Sequence, residues 1–277
     1  MKNFYLTIDL EEWYHLLYFR DATNFKGDDF FIYKTKEILN LLDKYNVKST
    51  FFVLAELAQN HPSIIKEIHS KGHEISCHGL NHDLVSNKTL KQFKLELIEA
   101  KAIIEDIIND TVLGYRAPCF SISDDSLKEL SRLGFKYDSS YIKFSNHRLY
   151  GQLKMEGYQY NSDLRLTNTN NFTEFQVPTT KFLSFEVPFS GGGYLRIIPW
   201  FLFKMIFKSE LDKKNEYQIF LHPFELYSGK FILPIKTGLL SKLRFNINRR
   251  KNIYKVEKLI KIAIRKGYSF KTMKEAL

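Results

Sequence analysis

The chain has 277 residues, of which 44% are hydrophobic and 15% aromatic, so it can bury a large core and has the length of one α/β barrel. This composition excludes a disordered or low-complexity chain, and two cysteines exclude a disulfide-stabilised scaffold. The net charge of +10 is uneven, because residues 1–140 carry 17 basic and 21 acidic residues and the remainder carries 24 and 10. The basic second half indicates either an anionic partner or a solvated basic surface. No motif typical of nucleic-acid binding accompanies it, so nucleic acid is not an expected partner.

Apolar strands and amphipathic helices alternate along the chain, which is the pattern of parallel βα units. The predicted strands, in chain order, are "FYLTID", "STFFVL", "HEISCH", "LGYRAP", "KYDSS", "FEVPFS", "YQIFLHP" and "YSFKT". Helical periodicity falls between them in "TKEILNLLDKY", "HPSIIKEIHSK", "KTLKQFKLELIEAKAIIEDIIN", "SDDSLKELSRL" and "VEKLIKIAIRK".

Three helix-to-strand joints share one pattern, seen in "HSKGHEIS", "SRLGFKYDSS" and "IRKGYSFKT". Each has a basic residue near the helix end and then a glycine suited to a left-handed cap, a role that Asn46 takes after the first helix. No glycine-rich phosphate loop follows the first strand, which argues against a nucleotide-binding sheet. With seven or eight strands, we predict an α/β fold with a closed or nearly closed (β/α) barrel, as a single domain over residues 1–277.

Polar residues stand where the predicted strands end, and in a barrel the carboxyl ends of all strands meet at one mouth. A shared mouth would therefore collect side chains that are far apart in sequence. These strand-end residues are Asp9, Glu11, His78, Arg116, Asp138 and His222. Asp138, in "YDSS", is interpreted as a structural partner at the strand end.

The segment "SCHGLNHD" places His78 and His82 four residues apart. That spacing brings two imidazoles to one metal ion if the segment turns helically, although the pattern alone is weak. Combined with a carboxylate strand at the same mouth, it favours a site of two histidines and one carboxylate. Such a site leaves coordination positions open for water and substrate.

Five stretches, taken in order, resemble the motifs of the polysaccharide deacetylase family (the NodB-homology domain, carbohydrate esterase family 4). They are "TIDLEEW", "GHEISCHGLNH", "GYRAP", "KYDSS" and "IFLHPFE". The resemblance covers nearly the whole chain, and "VPFSGGGYLRIIPW" is similar to a glycine-rich segment of a cytoplasmic-type subgroup. It implies a distorted (β/α)7–8 barrel and metal-dependent removal of an N-acetyl or O-acetyl group from a sugar.

The resemblance also implies roles for single residues. Asp9 resembles the general base, Arg116 the arginine that orients this base, and His222 the general acid. In the reaction, we expect the backbone N–H of Cys119 to hold the oxyanion. Glu186, in "FEVPFS", is the candidate for the acid that raises the pKa of His222.

By the same resemblance, His78 and His82 are metal ligands, and the metal is a divalent ion, zinc by preference, with cobalt, manganese or nickel as alternatives. The third ligand is open to two residues, since the order Asp9-Leu10-Glu11-Glu12 differs from the adjacent aspartates common in the family. On an ideal strand Asp9 and Glu11 share a face and Glu12 points away, which favours Glu11.

The substrate class and location follow from weaker signals. We expect a cytoplasmic protein, because no signal-like stretch precedes the first strand and the cysteine content suits a reducing compartment. The expected substrate is then an acetylated sugar of a nucleotide-linked or lipid-linked glycan precursor. The basic, apolar segments "RIIPWFLFKMIFKSELDKK" and "KTGLLSKLRFNINRRKNIYK" suggest contact with an anionic membrane surface. The alternative is that the aromatic residues of the first segment pack a helix onto the barrel.

Two other functions stay open from the sequence. One is a metal-independent C–N hydrolase of the same fold, similar to allantoinase-type relatives. The other is an inactive barrel that binds carbohydrate or membrane. Retention of both Asp9 and His222 argues against the inactive barrel, because a binding module needs no acid–base pair.

Overall fold

A ten-stranded sheet lies at the centre of the computed structural model, which describes residues 1–16, 19, 30–144, 149–182, 185–227, 238–247 and 249–277. The strands are β1 (Lys2–Leu10), β2 (Thr50–Val53), β3 (Glu74–Cys77), β4 (Gly114–Tyr115), β5 (Tyr137–Asp138), β6 (Tyr158–Tyr160), β7 (Arg165–Asn168), β8 (Thr173–Phe175), β9 (Thr180–Phe182), β10 (Phe185–Val187), β11 (Glu216–Leu221) and β12 (Tyr268–Phe270). The helices are α1 (Phe30–Lys44), α2 (Ala55–Asn60), α3 (Pro62–Ser70), α4 (Leu90–Ile108), α5 (Asp124–Arg132), α6 (Gly192–Ile197), α7 (Trp200–Lys213), α8 (Leu239–Asn246) and α9 (Asn252–Arg265).

The strand order of the main sheet is β11-β1-β2-β3-β4-β5-β8-β7-β6, and β12 pairs with the first residues of β1. All pairs from β11 to β8 are parallel, whereas β7 and β6 are antiparallel additions at one edge. This is the distorted (β/α) barrel that the sequence predicts. Within the described residues the ladder is not continuous around the ring, because β11 and β6 end it.

The central strand β1 is buried on both faces, as its nearly continuous apolar sequence requires. Phe4, Leu6 and Ile8 belong to the large core cluster that the sheet shares with the helices. Tyr5 points to the other face, into an interior cluster with Phe52, Tyr137, Phe175 and Met273. Because side chains alternate along a strand, Asp9 lies on the same interior face as Tyr5.

The predicted left-handed helix caps are confirmed. Asn46 has a φ of 50° after α1, and Gly72, Gly134 and Gly267 have φ of 78°, 83° and 79° after α3, α5 and α9. Each residue turns the chain directly from a helix into the next strand segment. These joints keep the connections short, so that successive strands enter the sheet in parallel.

The prediction that "FEVPFS" joins the parallel sheet is wrong. Phe185–Val187 pairs antiparallel with Thr180–Phe182 in a separate two-stranded sheet, and Pro188 follows at once. Thr173–Phe175 takes the place beside β5 instead. This strand has only three residues, and two of them, a threonine and a glutamate, are polar. Its apolar pattern is therefore too weak to predict a buried strand from the sequence.

None of the described helices has the length and the run of apolar residues needed to cross a lipid bilayer.

Candidate active site

A cavity of about 290 Å³ opens at the carboxyl ends of the parallel strands. Strand β1 delivers Asp9 and Glu11 to it, β3 leads into His78 and His82, and β11 leads into His222. The parallel register pairs Ile8 with Leu221, which brings the next residues of the two strands side by side. The structure therefore brings together five of the side chains that the sequence selects.

Glu11, His78 and His82 form a compact, buried group of possible metal ligands. One oxygen or nitrogen atom of each lies within 4.8 Å of the other two. The Oε2 atom of Glu11 is 2.5 Å from Nε2 of His82 and 4.0 Å from Nε2 of His78. Two imidazoles and one carboxylate are a donor set that suits zinc and related divalent ions.

The loop between His78 and His82 is not helical. A helical turn was the condition under which their four-residue spacing predicts a shared metal ion. Gly79 has a φ of 96° and His82 a φ of 60°, so the chain folds back by left-handed backbone conformations. The two rings have their centroids 5.3 Å apart. The side chains therefore converge through a tight loop, and glycine at residue 79 makes that loop accessible.

The hydrogen bonding of His78 prepares it as a ligand. Its Nδ1 lies 2.8 Å from the carbonyl oxygen of Arg116, and because a carbonyl only accepts, Nδ1 carries the proton. The lone pair is then on Nε2, which faces Glu11. Burial lowers the pKa of His78 to about 4, so the imidazole is neutral, as metal binding requires.

The charge environment of Glu11 also suits a cation. Burial by itself would raise the pKa of Glu11, but the charge and hydrogen bond of His82, together with the charges of His222 and His78, outweigh burial and lower the pKa. Among the described residues, no lysine or arginine forms an ion pair with Glu11, whereas Asp9 pairs with Arg116. The residues present therefore fit a bound divalent ion.

Glu12 has a different task. Its Oε1 accepts a hydrogen bond of 2.9 Å from the backbone N–H of Phe31, in the first turn of α1. Its own N–H donates to Nδ1 of His15 at 2.9 Å. Glu12 thus points away from the histidine pair and fastens the start of α1, as the alternation of side chains along β1 predicts.

Asp9 is held by a buried arginine. Nη1 of Arg116 donates to Oδ1 of Asp9 at 2.6 Å and to Oγ1 of Thr7 at 2.9 Å. Nε and Nη2 of the same guanidinium donate to the carbonyl and the hydroxyl of Ser139 at 3.0 and 2.9 Å. The other oxygen of Asp9, Oδ2, lies 3.8 Å from Nε2 of His222.

His222 is surrounded by carboxylates. Its Nδ1 is 3.3 Å from Oε2 of Glu225, and its Nε2 is 3.4 Å from Oε1 of Glu11. Burial alone would lower the pKa of His222, but the negative charge and hydrogen bond of Glu225, with Glu11 and Asp9, raise it to about 9. The imidazole is therefore protonated near neutral pH and can act as an acid.

The role predicted for Glu186 is corrected by this geometry. Glu186 accepts a hydrogen bond from Thr179 in the separate hairpin, and Glu225 supplies the carboxylate beside Nδ1 of His222. Glu225 follows His222 by three residues in a short 3₁₀ turn, Pro223–Leu226. The stretch "IFLHPFE" contains that signal, because a 3₁₀ turn brings residues three apart together.

Residues of the glycine-rich segment hold the carboxylate of Glu225 in place. Nε of Arg196 lies 3.6 Å from its Oε1, and the backbone N–H of His222 donates to its Oε2 at 3.1 Å. A Cβ atom placed on Gly192 would lie 1.9 Å from Oε2 of Glu225. A residue larger than glycine at position 192 would therefore displace the carboxylate.

Cys119 and several apolar side chains complete the cavity wall. Cys119 has a φ of 51° within the turn Pro118–Phe120 and lines the cavity. Its predicted oxyanion role stays a prediction. The aromatic wall gives flat, apolar faces on which a sugar ring can stack. Its members are Phe19, Phe120, Tyr150, Tyr194, Phe220, Phe224 and Phe245.

Two family models match the chain. Residues 28–137 match the model described as Polysaccharide deacetylase, and residues 139–277 match the model described as Domain of unknown function (DUF3473). The boundary falls at β5, which pairs with β4 on one side and with β8 on the other. A single sheet thus runs through both matched segments.

Curated relatives match over part of the chain. A peptidoglycan-N-acetylglucosamine deacetylase of Bacillus cereus is 28% identical over 102 residues, 37% of this chain and 47% of that protein. The peptidoglycan-N-acetylmuramic acid deacetylase PdaA of Bacillus subtilis is 30% identical over 127 residues, 46% of this chain and 48% of that protein. The chain therefore spans about half the length of these curated relatives.

Solved structures share the whole fold. A crystal structure from Mycobacterium smegmatis, described as a polysaccharide deacetylase, superposes with a TM-score of 0.65 at 17% identity. The superposed region covers 99% of this chain and 89% of the other chain. At this identity the likeness establishes the fold alone.

The ligand set can be tested by metal content. Glu11→Ala, His78→Ala and His82→Ala should each weaken divalent-ion binding by more than about tenfold, because each removes a ligand atom. Glu12→Ala should keep the ion, since Glu12 binds the backbone of Phe31 instead. The measurement is metal per chain by inductively coupled plasma mass spectrometry after dialysis against zinc. Loss of metal from Glu12→Ala with retention in Glu11→Ala would refute the assignment.

The contact between Gly192 and Glu225 can be tested by the titration of His222 in metal-free protein. Gly192→Ala should lower the pKa of His222 from about 9 towards its ordinary value, because the new methyl group displaces Glu225. Gly193→Ala is the matched control, since a Cβ there lies 3.8 Å from Glu225. The pKa is read from imidazole NMR shifts, and equal values in the two variants would contradict the steric argument.

The same contact has a stability consequence. The folded pKa of His222 is above its unfolded value, so its contribution to stability is complete below pH 6.5 and is lost as pH rises through about 9. Urea unfolding of Gly192→Ala should show a smaller loss of stability over this range than Gly193→Ala.

Proposed function

We propose that this chain, whose residues 28–137 match the polysaccharide deacetylase family, is a metal-dependent hydrolase that removes an N-acetyl or O-acetyl group from a carbohydrate. The observation that carries this proposal is the buried group of Glu11, His78 and His82 beside Asp9 and His222. The continuity of the sheet through both matched segments supports a single catalytic domain over residues 1–277.

Glu11, His78 and His82 would hold the divalent ion, and zinc suits this donor set best, with cobalt, manganese or nickel as alternatives. When bound, such an ion polarises the acetyl carbonyl and lowers the pKa of water. Three protein ligands would leave coordination positions for water and substrate. The ligand atoms themselves come from the segments that follow β1 and β3, the two strands that flank β2 in the sheet.

The proton transfers fall to Asp9 and His222. Arg116 occupies Oδ1 of Asp9, so the carboxylate is oriented with Oδ2 towards the cavity, where it accepts a proton from the attacking water. His222, kept protonated by Glu225, donates a proton from Nε2 to the departing amine or alkoxide. The backbone N–H of Cys119 would donate to the oxyanion that forms on the carbonyl oxygen of the acetyl group.

For the substrate we propose an acetylated sugar unit of a glycan precursor, carried by a nucleotide or a lipid in the cytoplasm. The curated relatives named above act on peptidoglycan, a polymer of acetylated sugars. A volume of about 290 Å³ is at the low end for ligand pockets, which suits one sugar with its acetyl group. The aromatic wall supports stacking on that sugar.

We also propose a membrane-surface contact through α7. Its Phe203 and Phe207 pack into the core, as the alternative interpretation of the segment predicted. Its opposite side exposes Phe201 and Met205, at 75% and 62% of their surface, together with Lys204. An exposed apolar and basic helix face suits a surface of anionic lipid. Residues 236–237 and 248 of the second basic segment lie outside the described residues.

The acid–base pair is tested by turnover. Asp9→Asn and His222→Ala should each lower acetate release by about 10²–10⁴-fold, because each removes a proton-transfer group. The assay screens N-acetylated nucleotide sugars, polyprenyl-linked sugars and chitin oligomers with zinc-loaded protein. The control is His69→Ala, which replaces a half-buried histidine that pairs with Asp110.

Two results would change the proposal. Turnover near that of the wild type in either variant would remove that residue from the mechanism. Full activity in metal-free protein would favour the metal-independent C–N hydrolase.

The membrane contact is tested by co-sedimentation with vesicles. Binding to vesicles of phosphatidylcholine with about one-third phosphatidylglycerol should be strong at low salt and weak at high salt. Lys204→Glu with Lys208→Glu should reduce binding by about tenfold or more, whereas Lys91→Glu with Lys136→Glu, of equal charge change, should leave it unchanged. Equal recovery of the wild type in the supernatant with and without vesicles would exclude the contact.

A further inference from the structure

A pair of buried acids lies behind the site and has no part in the mechanism above. Asp138 ends β5, and Glu174 lies beside it in β8, where the two residues are register partners. Both side chains are fully buried, with 0% of their surface exposed. Their carboxyl groups meet at one donor, because the N–H of Ser140 donates both to Oδ2 of Asp138 and to Oε1 of Glu174. Two buried carboxylates that converge on one N–H repel each other unless one of them carries a proton.

The donors around the pair show which acid has room for that proton. Ser140 donates from Oγ to Oδ1 of Asp138 at 2.9 Å and from its N–H to Oδ2 at 2.8 Å. Oε1 of Glu174 accepts from the N–H groups of Ser140 and Tyr141 at 3.0 and 2.9 Å. Oε2 of Glu174 is buried and accepts from no donor group of the described residues, so a proton there meets no competing donor.

The electrostatics agree with this assignment. Burial, and then the negative charge of Asp138, raise the pKa of Glu174 well above its ordinary value. Burial raises the pKa of Asp138 to about 6, against the charge of Arg116 and the hydrogen bonds of Ser140. The other titratable groups that face the pair are phenols with raised pKa values, which stay neutral. These are Tyr115, Tyr141 and Tyr158.

The turn that the pair holds also holds the arginine of the active site. Ser139, between Asp138 and Ser140, accepts two hydrogen bonds from the guanidinium of Arg116. Ser139 donates its N–H to the carbonyl of Tyr115 at 2.9 Å, and Oγ of Ser140 accepts from the N–H of Ala117 at 2.8 Å. The turn 138–140 therefore contacts Arg116 through its side chain and through the backbone on both sides of it.

We propose that Glu174 is a positioning residue that, as a neutral acid bound to Asp138, fixes the turn 138–140 and thereby aims Arg116 at Asp9. The proposal rests on the proposed function only for the role of Asp9 as the base. A neutral Glu174 limits the pair to one negative charge. With two negative charges, the pair would repel itself and compete with Asp9 for the guanidinium of Arg116.

Substitution of Glu174 by a donor and by a non-donor separates positioning from packing. With tetra-N-acetylchitotetraose as the probe, Glu174→Gln should keep kcat within about threefold, because its amide still donates to Asp138. Glu174→Ala should lower kcat by at least tenfold with KM and zinc content unchanged. Glu216→Ala is the control, since it removes a buried acid, bonded to Tyr5 and Arg165, at the opposite end of the barrel. It should lose thermal stability and keep the kcat of the folded protein.

Two outcomes of this assay would overturn the proposal. One is a kcat in Glu174→Ala equal to that of the wild type. The other is an equal loss in Glu174→Gln and Glu174→Ala, because a neutral donor would then not suffice.

A second measurement needs no activity and so separates this proposal from the proposed function. The folded pKa of Glu174 is above its unfolded value, so the folded chain keeps a proton that the unfolded chain releases, and stability falls as pH rises from the unfolded towards the folded pKa. The urea midpoint should therefore fall more from pH 5 to pH 8 in the wild type than in Glu174→Gln. Parallel curves would show that the pair carries no proton and would overturn the proposal even if the enzyme is active.

Discussion

The buried ion pair of Arg116 and Asp9 is the interaction on which the rest of the centre depends. Its 2.6 Å hydrogen bond joins β1 to the end of β4, and the same guanidinium reaches the end of β5 through Ser139. Arg116 has no exposed surface. Removal of either partner would leave an uncompensated buried charge, which costs about 3–5 kcal/mol in proteins. The pair therefore fixes the orientation of Asp9, the proposed base, and the spacing of three strand ends at once.

The carboxylates of the site differ in their partners, and this difference assigns their tasks. Asp9 has Arg116, and Glu225 has Arg196 and His222, so both are already balanced by cationic groups. Glu11 faces three histidines and, among the described residues, forms an ion pair with no lysine or arginine. The opening segment places three carboxylates within four residues, but Glu12 leaves the group to hold α1. The negative charge that has no such partner is therefore that of Glu11, and a divalent cation would balance it.

The two matched segments contribute different parts of one centre. Asp9, the proposed base, and Glu11 precede residue 28, where the first matched segment begins, and that segment provides His78, His82 and Arg116. The second matched segment provides His222, Glu225 and Gly192. It also provides β8, whose Glu174 braces the turn behind Arg116. The acid that we propose for the reaction is thus set by residues of the second segment, whereas the proposed base and the possible metal ligands come from residues before that segment. Neither segment completes the centre alone.

The sequence by itself determined the barrel class, the strand ends and the residues that meet there. The physical reason is that alternation along β1, parallel βα units and left-handed caps such as Gly72 are local rules. Only the tertiary structure decided that Glu225, and not Glu186, lies against His222, and that a short polar strand with Glu174 enters the sheet. It also decided that the loop from His78 to His82 closes without a helix. These outcomes depend on how separate loops pack against each other, and such packing leaves no local periodic signal in the chain.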